Sequence, residues 1–210
     1  MNGTDPSDEL VLYGYPLSAC THRVRLFLEL LDLPYRFELV DLATGQQKEP
    51  AHLAKNPLGQ VPVLTHGQRL LRNSHSILVY LALGRSGEDW LPVDPYERAR
   101  VFQWLFFDET EIFHGVGLAR NHVTFGWRTD LEAAQKLART ALRIVEDRLA
   151  ESDWLEVERP TIADISCYPM LSVLDEAGLS LADYPHVSRW IDRLVQLPGF
   201  LPMPSLLRPR

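Results

Sequence analysis

The chain has 210 residues, 46% of them hydrophobic, with 21 Lys and Arg against 28 Asp and Glu and a formal net charge of −7; with no basic stripe, this balance argues against a nucleic-acid partner. No apolar run approaches the ~18 residues of a membrane span and no charged-then-apolar leader opens the sequence, so neither membrane insertion nor secretion is expected. Cys20 and Cys167 are too few for a disulfide framework, and no Cys/His cluster has metal-ligand spacing, so a reducing cytoplasm and no metal are expected.

Leu10-Val11-Leu12-Tyr13 is a short run of strand formers closed by Gly14 and Pro16, the pattern of a buried strand. From Ser18 the spacing turns helical, with Val24, Phe27, Leu28 and Leu31 on one stripe, and Pro34 ends that helix. Tyr35 to Leu42 is the second strand, Val61 to Thr65 the third, and Arg69 to Leu71, after the Gly67-Gln68 turn, the fourth. Ser74 opens an apolar helix ending near Gly84. The order strand, helix, strand, helix, strand, strand, helix describes an α/β domain with a mixed sheet over residues 8–85. Residues 86–94 form a linker, and 95–210 are all helical: Tyr96 to about Arg120, Asp130 to Glu151, Ile165 to Ala177 behind a Thr161-Ile162-Ala163-Asp164 capping box, and Tyr184-Pro185 through Leu197.

Two places carry chemistry. Pro62 follows a β-branched residue within the strand-like stretch Asn56-Pro57-Leu58-Gly59-Gln60-Val61-Pro62-Val63-Leu64 and has no amide to give a sheet. It is either an edge-strand proline or a cis bend, and the bend would leave the Val61 N–H and C=O free to pair with an extended peptide. The junction of first strand and first helix presents unpaired amides and the positive end of the helix dipole, which favour an anion. Ser18 there is either a plain N-cap or a group acting on that anion. Cys20, near the same end, is a rival nucleophile whose pKa such a position can depress, while Tyr13 and Tyr15 could donate a phenolic hydroxyl but fit packing better, Tyr13 lying inside the strand.

In order and spacing, residues 10–85 resemble the thioredoxin-like domain of cytosolic glutathione transferases. The Val61-Pro62 pair resembles the family's cis-proline loop, and Asn73-Ser74 falls where members have an acidic residue or Gln followed by Ser. The zeta pattern SxCxxRVRxxLxL is met by Ser18, Cys20, Arg23, Val24, Arg25, Leu28 and Leu30, and Gly45-Gln46-Gln47 is also similar to that class. The resemblance implies that glutathione is the substrate that brings the sulfur, with no metal. Its sulfur would receive a hydrogen bond from the Ser18 hydroxyl and be held as a thiolate. Lowering a thiol from about 8.5 by roughly two units corresponds to about 2.7 kcal/mol. The tripeptide would lie along Gln60, Val61 and Pro62, with the Val61 backbone pairing its cysteinyl amides. Ser74 would bind the γ-glutamyl carboxylate at a helix amino-terminus, and Gln47 and Lys48 would meet the glycyl end. Asn73 is shorter than the usual residue and uncharged, which weakens the expected grip on the γ-glutamyl ammonium.

What the thiolate attacks is implied only as a class, small hydrophobic electrophiles. Candidates for the second-substrate wall are Cys20, Phe107, Glu111, His114 and Arg120, a lone His on an aromatic-rich helix such as His114 being more often structural. Zeta members also isomerise maleylacetoacetate and carry an arginine where this chain has Glu176; a carboxylate there would repel that dianion, so conjugation ranks above isomerisation. A non-catalytic binding protein of the same fold and disulfide reduction through Cys20 are the remaining readings. Family members are usually twofold dimers, so a homodimer is expected.

Overall fold

The apolar residues of Leu10–Gly14 (β1) and Val63–His66 (β3) meet as Leu12 opposite Leu64, both almost fully buried, at the centre of a four-stranded sheet. The computed structural model describes residues 9–85 and 89–207. Strand order is β2-β1-β3-β4, with Arg36–Leu39 (β2) parallel to β1, β3 antiparallel to β1, and Arg69–Arg72 (β4) antiparallel to β3. The sheet is therefore mixed, as the element order requires. The stripe of Ala19–Leu30 (α1) puts Val24, Phe27 and Leu28 into the core with Ile77, Leu78 and Leu81 of Ser74–Arg85 (α3).

Several boundaries differ from the sequence reading. β2 covers only the middle of the expected 35–42, and β3 starts at Val63 because the Val61–Pro62 peptide is cis and Pro62 brings no N–H. The helix between the second and third strands is a 3₁₀ turn, Gln46–Lys48, followed by Pro50–Leu53 (α2), which has Pro50 in its first turn. Of the linker, 86–88 lie outside the described residues.

In the helical half, Asp94 accepts from the Tyr96 and Glu97 amides and starts Pro95–Phe107 (α4). The expected single helix to Arg120 is a continuous helical path to Phe125, but its middle, Asp108–Gly117, is π-helical before Leu118–Phe125 (α5) resumes the α form. Leu131–Glu151 (α6) packs so closely on that wide stretch that a Cβ at Gly115 would lie 2.5 Å from the Ala138 nitrogen. The capping box forms, with Thr161 Oγ1 taking the amide of Ala163, two residues on, and Asp164 reaching back to the Thr161 amide. It starts Ile162–Leu171 (α7), shorter than expected because Leu174–Ala177 is a separate 3₁₀ turn. Pro185–Val195 (α8) ends two residues before Leu197.

After α8 the chain runs back over α1. A Cβ at Gly199 would stand 2.6 Å from the Glu29 carbonyl oxygen, His22 Nε2 donates to the Leu201 carbonyl at 3.0 Å, and the Met203 amide donates to the Tyr168 hydroxyl at 3.2 Å. Burial, with Arg25 nearby, pushes His22 down to about 3 and keeps it neutral. Among the described residues no helix is long and apolar enough to cross a membrane, and no cluster of His, Cys, Asp and Glu is placed to hold a metal.

Candidate active site

Ser18 is the N-cap of α1. Its backbone is extended and its Oγ accepts from the Thr21 amide at 3.2 Å. The cap leaves the hydroxyl proton free, because a hydroxyl that accepts at its oxygen still has its proton to give. The turn before it is closed by the Ser18 amide on the Tyr15 carbonyl at 3.0 Å and by the Tyr15 amide on Thr21 Oγ1 at 3.3 Å. The Leu17 carbonyl accepts from Arg120 Nη1 at 3.0 Å, which brings α5 against this turn.

The proline loop is fastened from below. His52 Nε2 and Asn56 Nδ2 both donate to the Gln60 carbonyl, at 3.0 and 2.9 Å, and Asn56 Oδ1 takes the Leu58 amide at 3.1 Å. Gly59, at φ 60, lies under the 3₁₀ turn, where a Cβ would be 2.7 Å from Lys48 Nζ and 2.8 Å from the Gln47 carbonyl oxygen. Lys48 Nζ donates to the Leu58 carbonyl at 3.1 Å, and Gln47 Oε1 is buried without a partner. The 3₁₀ turn with Gln47 and Lys48 thus lies against the loop that leads through Gln60 into the cis Val61–Pro62 bond.

Asn73 stands at φ 70, a left-handed conformation that Asn tolerates, and its Oδ1 caps α3 by taking the Ser76 amide at 3.2 Å. This accounts for the departure from the family pattern: the residue is used for backbone conformation and capping. Asn73→Ala is expected to cost about 2 kcal/mol, about half from the cap and half from the left-handed backbone, with Asn73→Gly nearer to wild type. Thermal melts of the two variants check this.

Ser74, buried, accepts from Arg23 Nη1 at 2.8 Å, which links the beginnings of α1 and α3. Arg23 continues into a polar cluster that the sequence reading did not place. Its Nη2 lies 2.6 Å from Asp108 Oδ2, and the same oxygen accepts from Ser166 Oγ at 2.6 Å and faces His75 Nε2 at 2.8 Å. His75 Nδ1 faces Glu109 at 2.9 Å. Burial pushes the Asp108 carboxyl up, but Arg23, then His75 and Ser166, hold it below the usual carboxylate range. The signal in the sequence was a pair of charges inside apolar stripes, Arg23 among Val24 and Phe27, and Asp108 after Leu105-Phe106-Phe107. Such residues are almost never fully buried unless paired.

Cys20 lies in this cluster, its Sγ 3.8 Å from Arg23 Nη1. The pKa depression allowed for at the helix end is reversed. Burial raises the thiol, with Asp108 and Glu109 adding to the rise against Arg23 and Ser74.

Of the second-substrate candidates, Glu111 and His114 are exposed on the π-helical stretch, and His114 Nδ1 donates to the Thr110 carbonyl at 2.7 Å. Phe107 instead packs edge-on against Trp104, ring centroids 5.4 Å apart, and lines a cavity between α4 and α6 with Arg100, Ile144, Arg148 and Glu156. The residues around that cavity include none of the Ser18 turn. Glu176, expected to repel an anionic substrate, is fully buried and paired with Arg120, Nε to Oε2 2.7 Å, so its charge is compensated. Burial raises its carboxyl, but bonds from Ser205, Arg120 and the Leu206 amide outweigh that and lower it.

Residues 12–88 match the family model for the glutathione S-transferase N-terminal domain, and residues 108–198 the one for the C-terminal domain. The chain is 32% identical to the disulfide-bond oxidoreductase YfcG of Escherichia coli (strain K12), over 85% of this chain and 86% of that protein. It is 34% identical to the maleylacetoacetate isomerase of Rhizobium meliloti (strain 1021), over 85% of this chain and 88% of that one. A crystal structure of a possible glutathione S-transferase from Rhodopseudomonas palustris superimposes with a TM-score of 0.87 at 36% identity, covering 92% of this chain and 97% of that chain.

Proposed function

The chain belongs to the glutathione S-transferase family, and from that premise we propose that Ser18 holds the thiol of bound glutathione as an anion for attack on a small hydrophobic electrophile. The observation that carries this is the Ser18 geometry: Oγ is anchored on the Thr21 amide at the positive end of α1 while its proton is left to donate. The peptide lies along Gln60, Val61 and Pro62, with Val61 pairing its backbone. The γ-glutamyl carboxylate lies at the start of α3 by Asn73 and Ser74, where the first amides have no intrahelical acceptor. Gln47 and Lys48 meet the glycyl end, their N–H groups turned to its carboxylate.

Bound glutathione gives its thiol proton to solvent, and the thiolate sulfur forms a bond to the electrophilic carbon. The leaving group departs with its electron pair, or in an addition the neighbouring carbon takes a proton. Arg120 and Glu176 neutralise each other, so they offer no spare cation to a dianion, and this favours neutral electrophiles over isomerisation. Glu111 and His114 border the second substrate from the helical side.

Calorimetric binding of glutathione together with turnover of a chlorodinitrobenzene tests the proposal; an absence of glutathione binding in the folded protein would leave only the fold in common with the family. A raised Cys20 thiol leaves little thiolate at neutral pH, so Cys20→Ala should keep conjugation within a few-fold of wild type. Alkylation of Cys20 by iodoacetamide should be slower than that of free glutathione; faster alkylation would restore the redox reading.

The domain division runs through 86–94, ahead of the helices that carry the second-substrate side. The protein acts in the cytoplasm as a homodimer. Exposed Leu58 and Leu70 of the sheet half, and Ile144 beside the Trp104 and Phe107 cavity, supply the two apolar surfaces that such a pairing joins. Sedimentation at twice the chain mass checks it.

A further inference from the structure

The peptide unit joining Leu17 to Ser18 is gripped at both ends. Its N–H, that of Ser18, donates to the Tyr15 carbonyl at 3.0 Å. Its carbonyl, that of Leu17, accepts from Arg120 Nη1 at 3.0 Å. Arg120 comes from α5, is 3% exposed, and is held by Glu176 through Nε at 2.7 Å. Glu176 is anchored in turn: its other carboxylate oxygen accepts from the Leu206 amide at 2.6 Å, and its carbonyl from Thr124 Oγ1 at 3.1 Å.

A guanidinium is a rigid plane with its donors in a fixed fork. With Nε committed to Glu176, the direction of Nη1 is set, and with it the tilt of the Leu17 carbonyl. A buried ion pair is weak evidence for stability, since apolar replacements of similar size are often neutral or better. Its place against the peptide next to Ser18 gives this pair something else to do. Arg120 Nη2, buried and without a partner, leaves part of its donor capacity unused, which fits a side chain kept for the direction of one donor.

We infer that Arg120 is a positioning residue for Ser18: through the Leu17 carbonyl it fixes the peptide plane before the serine, and so the direction in which the hydroxyl addresses the glutathione sulfur. Glu176, held by the Leu206 amide and Thr124, is its anchor. The inference builds on the thiolate role proposed for Ser18, and misplacement on the scale of an ångström is enough to lose much of such an effect.

Arg120→Lys tests it, because a single ammonium on a flexible stem keeps the charge opposite Glu176 without two donors in fixed relation. The pKa of the bound thiol, read from thiolate absorbance against pH, should rise by about one unit, and kcat/KM below neutrality should fall about tenfold with it. The KM for glutathione should stay within a few-fold, and the rate at alkaline pH, where the thiol ionises unaided, should approach that of wild type. The double variant Arg120→Met/Glu176→Gln, which leaves neither charge buried alone, should show the same rise. An unchanged thiol pKa in either folded variant, or a loss shared by kcat and KM at every pH, would overturn the inference; so would unfolding of both variants, which would assign the pair to the fold. Ser18→Ala run in parallel separates the two levels. A rise there with none in Arg120→Lys refutes the positioning role alone, whereas no rise in either refutes the thiolate reading beneath it.

Discussion

Ser18→Ala is expected to raise the pKa of the bound glutathione thiol by about two units and to cut kcat/KM about a hundredfold well below neutrality, the equivalent of about 2.7 kcal/mol, and about 25-fold at neutral pH. The hydroxyl sits where a donor to the sulfur acts with the α1 dipole, and the methyl group of alanine keeps the dipole but not the donor. The loss should shrink as pH rises, because above the ordinary thiol range of about 8.5 the sulfur ionises without help. Alanine also removes the cap on the Thr21 amide, at a cost of about 1 kcal/mol of stability, so lower activity alone does not separate the two roles. Glycine does. It caps within a few tenths of a kcal/mol of serine but has no hydroxyl, so Ser18→Gly should melt closer to wild type and yet share the alanine variant's thiol pKa. If the glycine variant instead regains activity with its stability, Ser18 is only a cap.

The order of the elements was legible in the sequence because it comes from local chemistry, apolar periods of two or 3.6, whereas a proline with no amide to give left edge strand and cis bend both open, and only the family resemblance pointed to the bend found. A helix beginning and an X-Pro peptide mark Ser18 and Val61 as places to look, while the roles proposed for them come from the resemblance. What escaped the sequence reading depends on which distant elements touch. Arg23 looks like one more position of α1 until Asp108, 85 residues further on, is seen 2.6 Å from it. Glu176 looked like a charge that would repel a dianion until Arg120, from another helix, proved to be paired with it. The π-helical stretch at Asp108–Gly117, on which α6 packs closely at Gly115, was hidden as well, because apolar spacing does not separate a π-helical stretch from an α-helix. Phe107 shows that spacing alone does not tell which way an aromatic residue of a helix faces: it packs on Trp104 and lines the cavity toward α6.

The largest effect on stability is expected at Asp164, which is fully buried and accepts four hydrogen bonds. Oδ1 takes the Leu155 amide at 3.0 Å and Trp190 Nε1 at 2.9 Å, and Oδ2 takes the Thr161 amide at 2.8 Å and Thr161 Oγ1 at 3.2 Å. One carboxylate therefore joins the start of α7, the segment before it and the core tryptophan of α8. Asp164→Ala leaves all four donors unpaired, and at about 1–3 kcal/mol each, less the relief of no longer burying a charge, a net loss of about 4 kcal/mol is expected. For a chain of this length that lowers Tm by about 10 °C. Asp164→Asn is no remedy, because its one oxygen serves one pair of donors while its NH₂ faces the other pair. Burial outweighs the four bonds and pushes the Asp164 carboxyl up to about 6, above its unfolded value of about 3.9. A carboxyl raised by folding stabilises the native state below its unfolded pKa, and that contribution is lost as pH climbs from about 4 to about 6. The Asn variant has no such titration, so its deficit against wild type should be greatest in mild acid and should narrow to a constant above about pH 6. Denaturant titrations of both proteins across that range would settle it, and a deficit that widens with pH would show that the four donors, rather than burial, govern this carboxylate.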